Sequence, residues 1–315
     1  MNFAYLLQRL GLAVLVILGV TLVVFMIIQL IPGDPAAISL GVQATPDRVE
    51  QRRETMGLNR PMLTQYLDWL GSAVQGDFGD SLLTGQSVSA QIRQRMPATL
   101  QLAFLAILIG MVIAFPLGII SAMRPNSPTD LIASLLSQVG IGVPDFWMAI
   151  LLVLLFSETW DLLPPSGYVR IENDFGEWLS HMILPALTAG LISASIQTRF
   201  IRSAMLETLN QNYIITARAK GLRERVVILR HAMRNALITI VTIIGLQVTA
   251  LLSAVVVIEI VFNLPGLGRL ALDAVLDRDY TLLQGAVFVE ALIVTLINLS
   301  VDLTYFFLDP RISRL

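Results

Sequence analysis

The sequence predicts an all-α, polytopic integral membrane protein with six transmembrane helices. Of its 315 residues, 55% are hydrophobic and only 14% are charged, whereas soluble domains carry about 25% charged residues. The hydrophobic residues form long runs, each with the roughly 20 residues that a helix needs to cross a bilayer. Because the runs are apolar on every face, a closed β-barrel, whose strands alternate, is excluded. The runs are Leu10–Ile31, Met96–Met123, Leu131–Ser157, Trp178–Thr198, Asn235–Ile258 and Tyr280–Val301.

The first run is interpreted as a retained helix rather than a cleaved leader. It is longer than the apolar core of a signal peptide, which has about 7–15 residues, and no small-residue cleavage site follows it.

The arginines predict the orientation of the spans. Residues 199–235 are rich in arginine, so the positive-inside rule places this loop and both termini in the cytoplasm. The shorter loops 158–177 and 259–279 are richer in acids and fall on the outer side. The predicted divisions are residues 1–31 as N-terminus and first helix, 32–97 as a small extracytoplasmic lid-like helical segment, 98–308 as a five-helix core with the cytoplasmic loop 199–235, and 309–315 as a cytoplasmic C-terminal tail.

The outer segment has two predicted helices. The first begins with Thr45 as N-cap and Pro46 at its first position and ends near Met56. The second extends from Pro61 to about Val74. The segment is either a cap that only braces the spans or a unit that contacts ligand.

A short helix is also predicted in the cytoplasmic loop, from Asn212 to Lys220, with Gly221 at its C-terminal stop position. Its small side chains allow another protein to approach the helix closely, and its two cations offer charge-assisted contacts. The alternative is that these cations hold orientation and contact anionic lipid.

Charged residues inside spans are costly and therefore suggest function. Asp145 follows Pro144, which removes a helix hydrogen bond and predicts a break that lines a pathway. Glu290 is the second candidate for the pathway. Glu259 and Asp302, near the ends of runs, are better explained by ion pairs or by interfacial positions.

The sequence predicts no catalysis by this chain. It has no cysteine and only two histidines, so thiolate and histidine-rich metal sites are excluded. Its only lysine, Lys220, precedes Gly221 rather than following a phosphate-binding glycine loop. The net charge of −2 gives no field that favours nucleic acid. We therefore expect neither a metal nor a bound cofactor.

Short motifs follow one another along nearly the whole chain, with the predicted spans between them. They are Ile31-Pro32-Gly33-Asp34-Pro35, Gly57-Leu58-Asn59-Arg60-Pro61, Gly76-Asp77-Phe78-Gly79, Pro97-Ala98-Thr99-Leu100, Pro116-Leu117-Gly118-Ile119, Ile183-Leu184-Pro185-Ala186, Thr216-Ala217-Arg218-Ala219-Lys220-Gly221-Leu222, Arg230-His231-Ala232-Met233-Arg234-Asn235 and Phe262-Asn263-Leu264-Pro265-Gly266-Leu267-Gly268. With these motifs the chain resembles the membrane-spanning permease subunits of bacterial ABC importers, in the family that serves dipeptides, oligopeptides, nickel and glutathione.

The resemblance implies a coupling helix that docks on an ATPase subunit. The family motif there is Glu-Ala-Ala-x-x-x-Gly. Here Ala217 and Gly221 match it, while Ile215 and Thr216 stand at the positions of the acid and the first alanine. The implied docking residues are Thr216, Ala217, Arg218, Ala219, Lys220, Gly221 and Leu222.

The resemblance also implies partners and a location. The chain would pair with a second homologous permease, two cytoplasmic ATP-binding subunits that hold ATP and Mg, and an extracytoplasmic substrate-binding protein, in the lipid of the bacterial cytoplasmic (inner) membrane. The cargo expected first is a di- or oligopeptide, and next a nickel chelate or glutathione. The residues expected at the contact with the binding protein or at an outer gate are Asp34, Phe262, Asn263, Pro265 and Gly266.

A self-contained secondary transporter is the main alternative. It predicts internal repeats and ionisable coupling residues at mid-membrane, and the sequence shows only scattered acids. A channel is less well supported, because nothing resembles a selectivity filter.

Overall fold

The computed structural model describes residues 3–31 and 33–308. Pro32 of the first motif and the predicted tail 309–315 lie outside these residues. The helices of the described part are α1 Phe3–Leu30, α2 Pro35–Leu40, α3 Pro46–Thr55, α4 Met62–Val74, α5 Val88–Met123, α6 Pro128–Gly142, α7 Asp145–Val153, α8 Phe175–Leu209, α9 Asn212–Ala219, α10 Glu224–Val226, α11 Met233–Val261, α12 Leu267–Leu276 and α13 Tyr280–Leu308. One 3-10 turn, Gly41–Gln43, and two π-helical turns, Leu154–Thr159 and Val227–Ala232, complete them.

Long apolar helices dominate the described part of the chain and confirm the predicted all-α membrane class. Five of them are long and apolar enough to cross a bilayer: Leu7–Leu30, Val88–Met123, Phe175–Leu209, Thr239–Val261 and Tyr280–Thr304. Several extend beyond the predicted uncharged runs, because a helix continues its hydrogen bonds past the edge of the apolar stretch.

The remaining predicted span, Leu131–Ser157, is not one straight helix. Segments Pro128–Gly142 and Asp145–Thr159 are bent by 106° relative to each other. The cause is Pro144, which has no N–H to donate and disfavours helical backbone in the residue before it. Val143 accordingly has extended backbone, at φ −88° and ψ 124°. Counting this broken pair as one crossing gives the six predicted spans.

The first compact unit is built from the described parts of Met1–Tyr5, Leu100–Leu264 and Ile297–Leu315. Its buried side chains form two clusters. One cluster is centred on Leu102, Met182, Leu184, Ile258 and Phe262. The other is centred on Ile201, Met205, Ile214, Val227 and Ile240.

Helices α5 and α8 approach closely within this unit at Gly118. A Cβ atom there would lie 2.7 Å from Cγ2 of Ile201 and 3.1 Å from the carbonyl oxygen of Thr198. Small residues at such contacts let helices pack by van der Waals attraction where lipid gives no hydrophobic driving force.

The second compact unit comprises Leu6–Thr99 and Pro265–Leu296. Its core is partly aromatic: the rings of Trp69 and Phe288 meet edge to face at 6.0 Å, and those of Phe78 and Phe288 lie 5.4 Å apart. The carboxylate of Asp279 organises its loops. It accepts hydrogen bonds from the Ser81 hydroxyl and, at 3.1 and 3.2 Å, from the backbone N–H groups of Leu82 and Leu282.

The two helices predicted within residues 32–97 are confirmed as α3 and α4. Thr45 stands at the N-cap of α3, although its side chain makes no capping hydrogen bond. Helices α2 and α12 were not predicted. The signal for α12 is its spacing, since Leu267, Leu270 and Ala274 lie at i, i+3 and i+7 and are all buried.

We predict that Gly118→Ala destabilises the protein. The added methyl group must displace Ile201 and the backbone at Thr198, and overpacking of this kind costs about 1–3 kcal/mol. The free energy of unfolding, measured by denaturant titration in detergent, should fall by that amount. The matched control is Gly19→Ala in α1, where a Cβ has nothing within 4 Å. That substitution should be neutral or stabilise by up to about 1 kcal/mol, and equal losses in both variants would contradict the close contact.

Candidate functional site

Helix α9 is a short helix with one buried and one exposed face. Ile214 and Ala217 are its buried residues and belong to the cluster that contains Val227 and Ile228. Gly221 follows with φ +76°, the left-handed conformation that ends helices and favours glycine. The exposed residues of α9 and of the turn after it are Asn212, Tyr213, Ile215, Thr216, Arg218, Ala219, Lys220, Gly221 and Leu222.

The two alanines of the predicted docking motif therefore differ. Ala217 is 8% exposed and packs against the core of its own unit, while Ala219 is exposed. Ala217 is therefore the one residue of the motif 216–222 that is buried, and the other six are exposed.

An ion pair holds the end of α9 to the start of α10. Arg218 donates from Nη2 to Oε1 of Glu224 at 2.7 Å and from Nε to Oε2 at 3.2 Å. These hydrogen bonds lower the pKa of Glu224 and raise the pKa of Arg218. Because the carboxylate pKa is lowered on folding, the pair stabilises above the ordinary pKa of glutamate and loses that contribution as the pH falls through the lowered value.

A second contact fixes the other end of α9. The side-chain amide of Asn235, in α11, donates to the hydroxyl oxygen of Tyr213 at 2.9 Å. Helix α9 is thus joined to α10 and α11 by side chains as well as by the chain, so a displacement of α9 must also move those elements.

A buried ion pair lies in the same unit between α6 and α8. Arg202 donates to both carboxylate oxygens of Asp130, from Nε at 2.6 Å and from Nη2 at 2.8 Å. The Ser121 hydroxyl and the backbone N–H of Asn126 also donate to this carboxylate. Only 6% of the Asp130 side chain is exposed. This arrangement ties the end of α5, the start of α6 and α8 together.

Sequence analysis did not identify Asp130. It follows Ser127, whose hydroxyl accepts the N–H of Asp130 as an N-cap, and a first-turn acid is usually explained by the helix dipole alone. The arginine that pairs with it lies far away in the sequence, so only the fold brings them together.

Asp145, a predicted pathway residue, is the first residue of α7, directly after the break at Pro144. Its half-buried side chain lines a cavity of about 170 Å³ together with Ser193 and Gln247. Pro144 itself is exposed. Glu290, the other pathway candidate, is half-buried on α13 in the second compact unit.

Glu259 and Asp302 occupy different environments. Glu259 is fully buried on α11, and Asp302 is half-buried on α13.

The residues predicted at the binding-protein contact or outer gate include Asp34 and Phe262, whose contacts the structure shows. Asp34 caps α2 by accepting the N–H of Ala36 at 3.0 Å and lies 3.4 Å from Nε of Arg53. Phe262 is buried, and its carbonyl oxygen accepts the N–H of Gly167 at 2.9 Å.

The other three members of that set form the turn before α12. Asn263 is exposed with φ +53°, Pro265 is half-buried, and Gly266 is the buried N-cap of α12. Asn263 is therefore the member of this turn that offers an exposed side chain.

Comparison with known proteins places the chain in a family. The model of the "binding-protein-dependent transport system inner membrane component" matches residues 114–314, and the model of the N-terminal part of such components matches residues 2–103. The chain belongs to this family. It is accordingly an inner-membrane permease subunit of a binding-protein-dependent ABC importer.

Curated relatives cover nearly the whole permease. The oligopeptide transport system permease protein AppB of Bacillus subtilis is 37% identical over 98% of this chain and 99% of its own length. The dipeptide transport system permease protein DppB of Escherichia coli K12 is 37% identical over 98% of both chains. A putative peptide permease protein of Brucella ovis is 41% identical, again over 98% of both.

A solved structure shares the fold. The MetNI methionine ABC transporter in an inward-facing conformation aligns with a TM-score of 0.57 at 15% identity, covering 70% of this chain and 96% of that chain.

We predict that breaking the buried ion pair destabilises the permease. Asp130→Ala leaves the Arg202 guanidinium without its carboxylate, and removal of one partner of a buried pair costs about 3 kcal/mol. The free energy of unfolding in detergent should fall by this amount. Replacing both residues, Asp130→Leu with Arg202→Met, should recover most of the loss.

The control is the more exposed pair between Arg269 and Asp273 on α12, 3.9 Å apart. Asp273→Ala should change the free energy of unfolding by less than about 1 kcal/mol. If Asp130→Ala costs no more than this control, the pair does not brace α6 against α8.

Proposed function

We propose that this permease imports short peptides, driven by ATPase subunits that dock on the exposed face of α9. The observation that carries the proposal is the construction of α9, a helix of the permease fold with one face packed on its own core and the other exposed. The names of the curated relatives, which are oligopeptide and dipeptide permeases, support di- and oligopeptides as cargo.

The charge of α9 fits a docking surface. Arg218 is neutralised by Glu224, so the charge presented to a partner is that of Lys220, surrounded by Ile215, Ala219 and Leu222. A small apolar patch with one cation suits a groove with an acidic residue at its rim. Loop 199–235 would then be cytoplasmic, as its arginines predict.

The partners follow from the family. The transporter would contain a second homologous permease, two ATP-binding subunits that hold ATP and Mg, and an extracytoplasmic substrate-binding protein. Among the described residues no cluster of histidine, aspartate and glutamate side chains is suited to hold a metal ion.

ATP hydrolysis would be coupled to movement of the spans through direct contacts between α9 and the neighbouring helices. ATP binding and hydrolysis in the partners move α9, and the Arg218–Glu224 pair and the Asn235–Tyr213 hydrogen bond transmit that movement to α10 and α11. Ile214 transmits it to α8 through the shared core cluster. The spans then open alternately to the two sides.

The residues that line the pathway and those that contact the binding protein are proposed from the chemistry of their side chains. Asp145 beside the break in the third span is suited to hold the amino terminus of a peptide, and Glu290 is a second carboxylate for the same role. Asn263, next to Pro265, offers an exposed polar side chain for the binding protein.

We predict that Ala219→Trp uncouples the permease. Ala219 is exposed, so the variant should fold, but the indole prevents close approach of a partner to the helix. Co-purification of the ATP-binding subunits and peptide uptake should fall by more than about tenfold, as for central residues of an interface.

The matched control is Ala44→Trp, an equally drastic change at an exposed alanine of the outer segment. It should leave ATPase co-purification unchanged. Ala217→Trp is not a suitable test, because Ala217 is buried in the core cluster and the variant would perturb folding. A permease that binds no ATPase subunit and still transports would instead support the secondary-transporter alternative.

We predict that Asp145→Asn reduces peptide uptake while ATPase docking is retained. The amide keeps the size of the side chain but loses the charge that holds an ammonium group. Uptake of a peptide with a free amino terminus should fall more than uptake of its N-acetylated form. Equal uptake by wild type and variant would remove Asp145 from the pathway.

A further inference from the structure

A polar cavity lies within the first compact unit, between the end of α5, α6 and α8. Its volume is about 210 Å³. It shares no lining residue with the Asp145 cavity, which lies between α7, α8 and α11. The polar side chains of its wall that could bind a ligand are Ser134 and Gln138 of α6 and Thr198, Arg199 and Arg202 of α8.

The two arginines of this wall differ in their partners. Arg202 is half-buried and donates to the carboxylate of Asp130 from Nε and Nη2, so the charges of this pair cancel. Arg199 is exposed and forms no ion pair with any residue of the described ranges. Its guanidinium lies 5.6 Å from the centre of the Phe200 ring. The wall therefore carries one uncompensated positive charge.

No carboxylate of the described chain lines the cavity. Asp130 is the nearest acid in the network, but it is 4% exposed. Its oxygens already accept from Arg202, from the Ser121 hydroxyl and from the N–H of Asn126. The Asp145 cavity, by contrast, has a carboxylate in its wall. The two cavities thus suit ligands of opposite charge, and this one suits an anion.

Thr198 brings an uncommitted hydroxyl to the same wall. The hydroxyls of Thr188, Ser195 and Thr208 on α8 each donate to the carbonyl oxygen four residues earlier, at 2.8 Å. Thr198 is equally buried, at 3% exposure, yet its hydroxyl makes no hydrogen bond within the described part of the chain. Unlike the unpartnered carbonyl oxygen of Gln197, which is fully enclosed, this hydroxyl retains accessible surface. It is free to donate to a ligand.

Helix α6 presents a short polar stripe in an apolar surface. Ser134 and Gln138 are one turn apart, and both are exposed. Leu131, Leu135 and Val139 beside them are also exposed, by 55% or more. In a membrane, polar side chains at such a surface are costly unless they find a partner. The stripe therefore offers hydroxyl and amide donors next to a surface suited to hydrocarbon chains.

These groups indicate the chemistry of the ligand. A guanidinium flanked by hydroxyl and amide donors suits the oxygens of a phosphate, which form charge-assisted hydrogen bonds. The volume is below the range of about 300–1,000 Å³ that is usual for small-molecule sites, so it accommodates a headgroup and not a whole lipid. A zwitterionic headgroup is disfavoured, because its ammonium group would meet Arg199 and no acid.

We propose that this cavity binds the headgroup of an anionic phospholipid. Arg199 and the Thr198 hydroxyl hold the phosphate, and the acyl chains lie along the exposed leucines of α6. The lipid thereby connects α6 to α8 beside the pair between Asp130 and Arg202. This site goes beyond the proposed import function and depends neither on the cargo nor on docking at α9. With loop 199–235 in the cytoplasm, the lipid belongs to the inner leaflet, where anionic headgroups meet basic pockets between spans.

The test is native mass spectrometry of the full-length permease in detergent, titrated with dioleoylphosphatidylglycerol or dioleoylphosphatidylcholine. The wild type should bind one phosphatidylglycerol saturably and about tenfold more tightly than phosphatidylcholine, because only the anionic headgroup matches the charge of the wall.

Two substitutions address the proposed contacts. Arg199→Gln should weaken binding of phosphatidylglycerol about tenfold, as expected for a lost charge-assisted hydrogen bond. Thr198→Val keeps the shape of the side chain and should weaken binding about fivefold. In the lipid-free protein Thr198→Val should leave the thermal midpoint unchanged or raise it, because the hydroxyl that it removes has no partner there.

Each substitution has a matched control in the same unit. Arg124→Gln removes an exposed arginine from the loop between α5 and α6 that does not line the cavity. Thr208→Val removes a hydroxyl from α8 that donates to the carbonyl oxygen of Ala204 at 2.8 Å. Both variants should bind phosphatidylglycerol with wild-type affinity.

Four results would overturn the proposal. The first is equal affinity of the wild type for the two lipids. The second is an equal loss in Arg199→Gln and Arg124→Gln, which would show diffuse attraction to basic residues. The third is displacement of the lipid by inorganic phosphate, which would make the ligand a soluble anion. The fourth is binding by the isolated chain that disappears in the assembled transporter, which would make this surface a contact between subunits.

Discussion

The hydrocarbon core of the membrane is the constraint on which this structure depends. It offers no hydrogen bonds to the backbone, so a span must satisfy its N–H and C=O groups within the protein, and helices do this within one segment. The break between α6 and α7 is the informative exception. There Val143 still donates to the carbonyl oxygen of Val139 at 3.1 Å, and Trp147 donates to that of Pro144 at 3.0 Å. Irregular backbone at membrane depth is tolerated where it lines a cavity, and Asp145 does so.

The same constraint explains which contacts connect the helices of the first unit and could transmit a movement between them. Helices in lipid are held together by close packing and by buried polar contacts. The contact at Gly118 and the pair between Arg202 and Asp130 are of these two kinds. Because Ile214 of α9 belongs to the same core cluster as Ile201, the proposed movement of α9 would reach α8 through packed side chains.

Local patterns were sufficient to predict much of the fold. The uncharged runs identify the spans, and caps identify α3, α4 and α9, because Pro46 and Gly221 impose backbone conformations that act over a few residues. The break at Pro144 was predicted for the same reason, but its angle of 106° was not.

Features that depend on tertiary contacts were not predictable. The partner of Asp130 is distant in the sequence, and nothing local shows that Ala217 faces the core while Ala219 faces outward. Phe262 is buried by side chains such as Leu102 and Met182 that are distant in the sequence. The sequence therefore predicted which segment forms the candidate site, and the structure showed which of its side chains are buried and which are exposed.

Docking of an ATPase subunit on α9 can be measured directly because the sequence contains no cysteine. Ala219→Cys introduces a single thiol on the exposed face of α9, and a short thiol-to-amine crosslinker is applied in native membranes. We expect a covalent adduct with an ATP-hydrolysing subunit, and no such adduct from Ala44→Cys in the segment 32–97. An Ala219→Cys permease that folds and transports but gives no adduct with an ATPase, or one obtained only from Ala44→Cys, would contradict it.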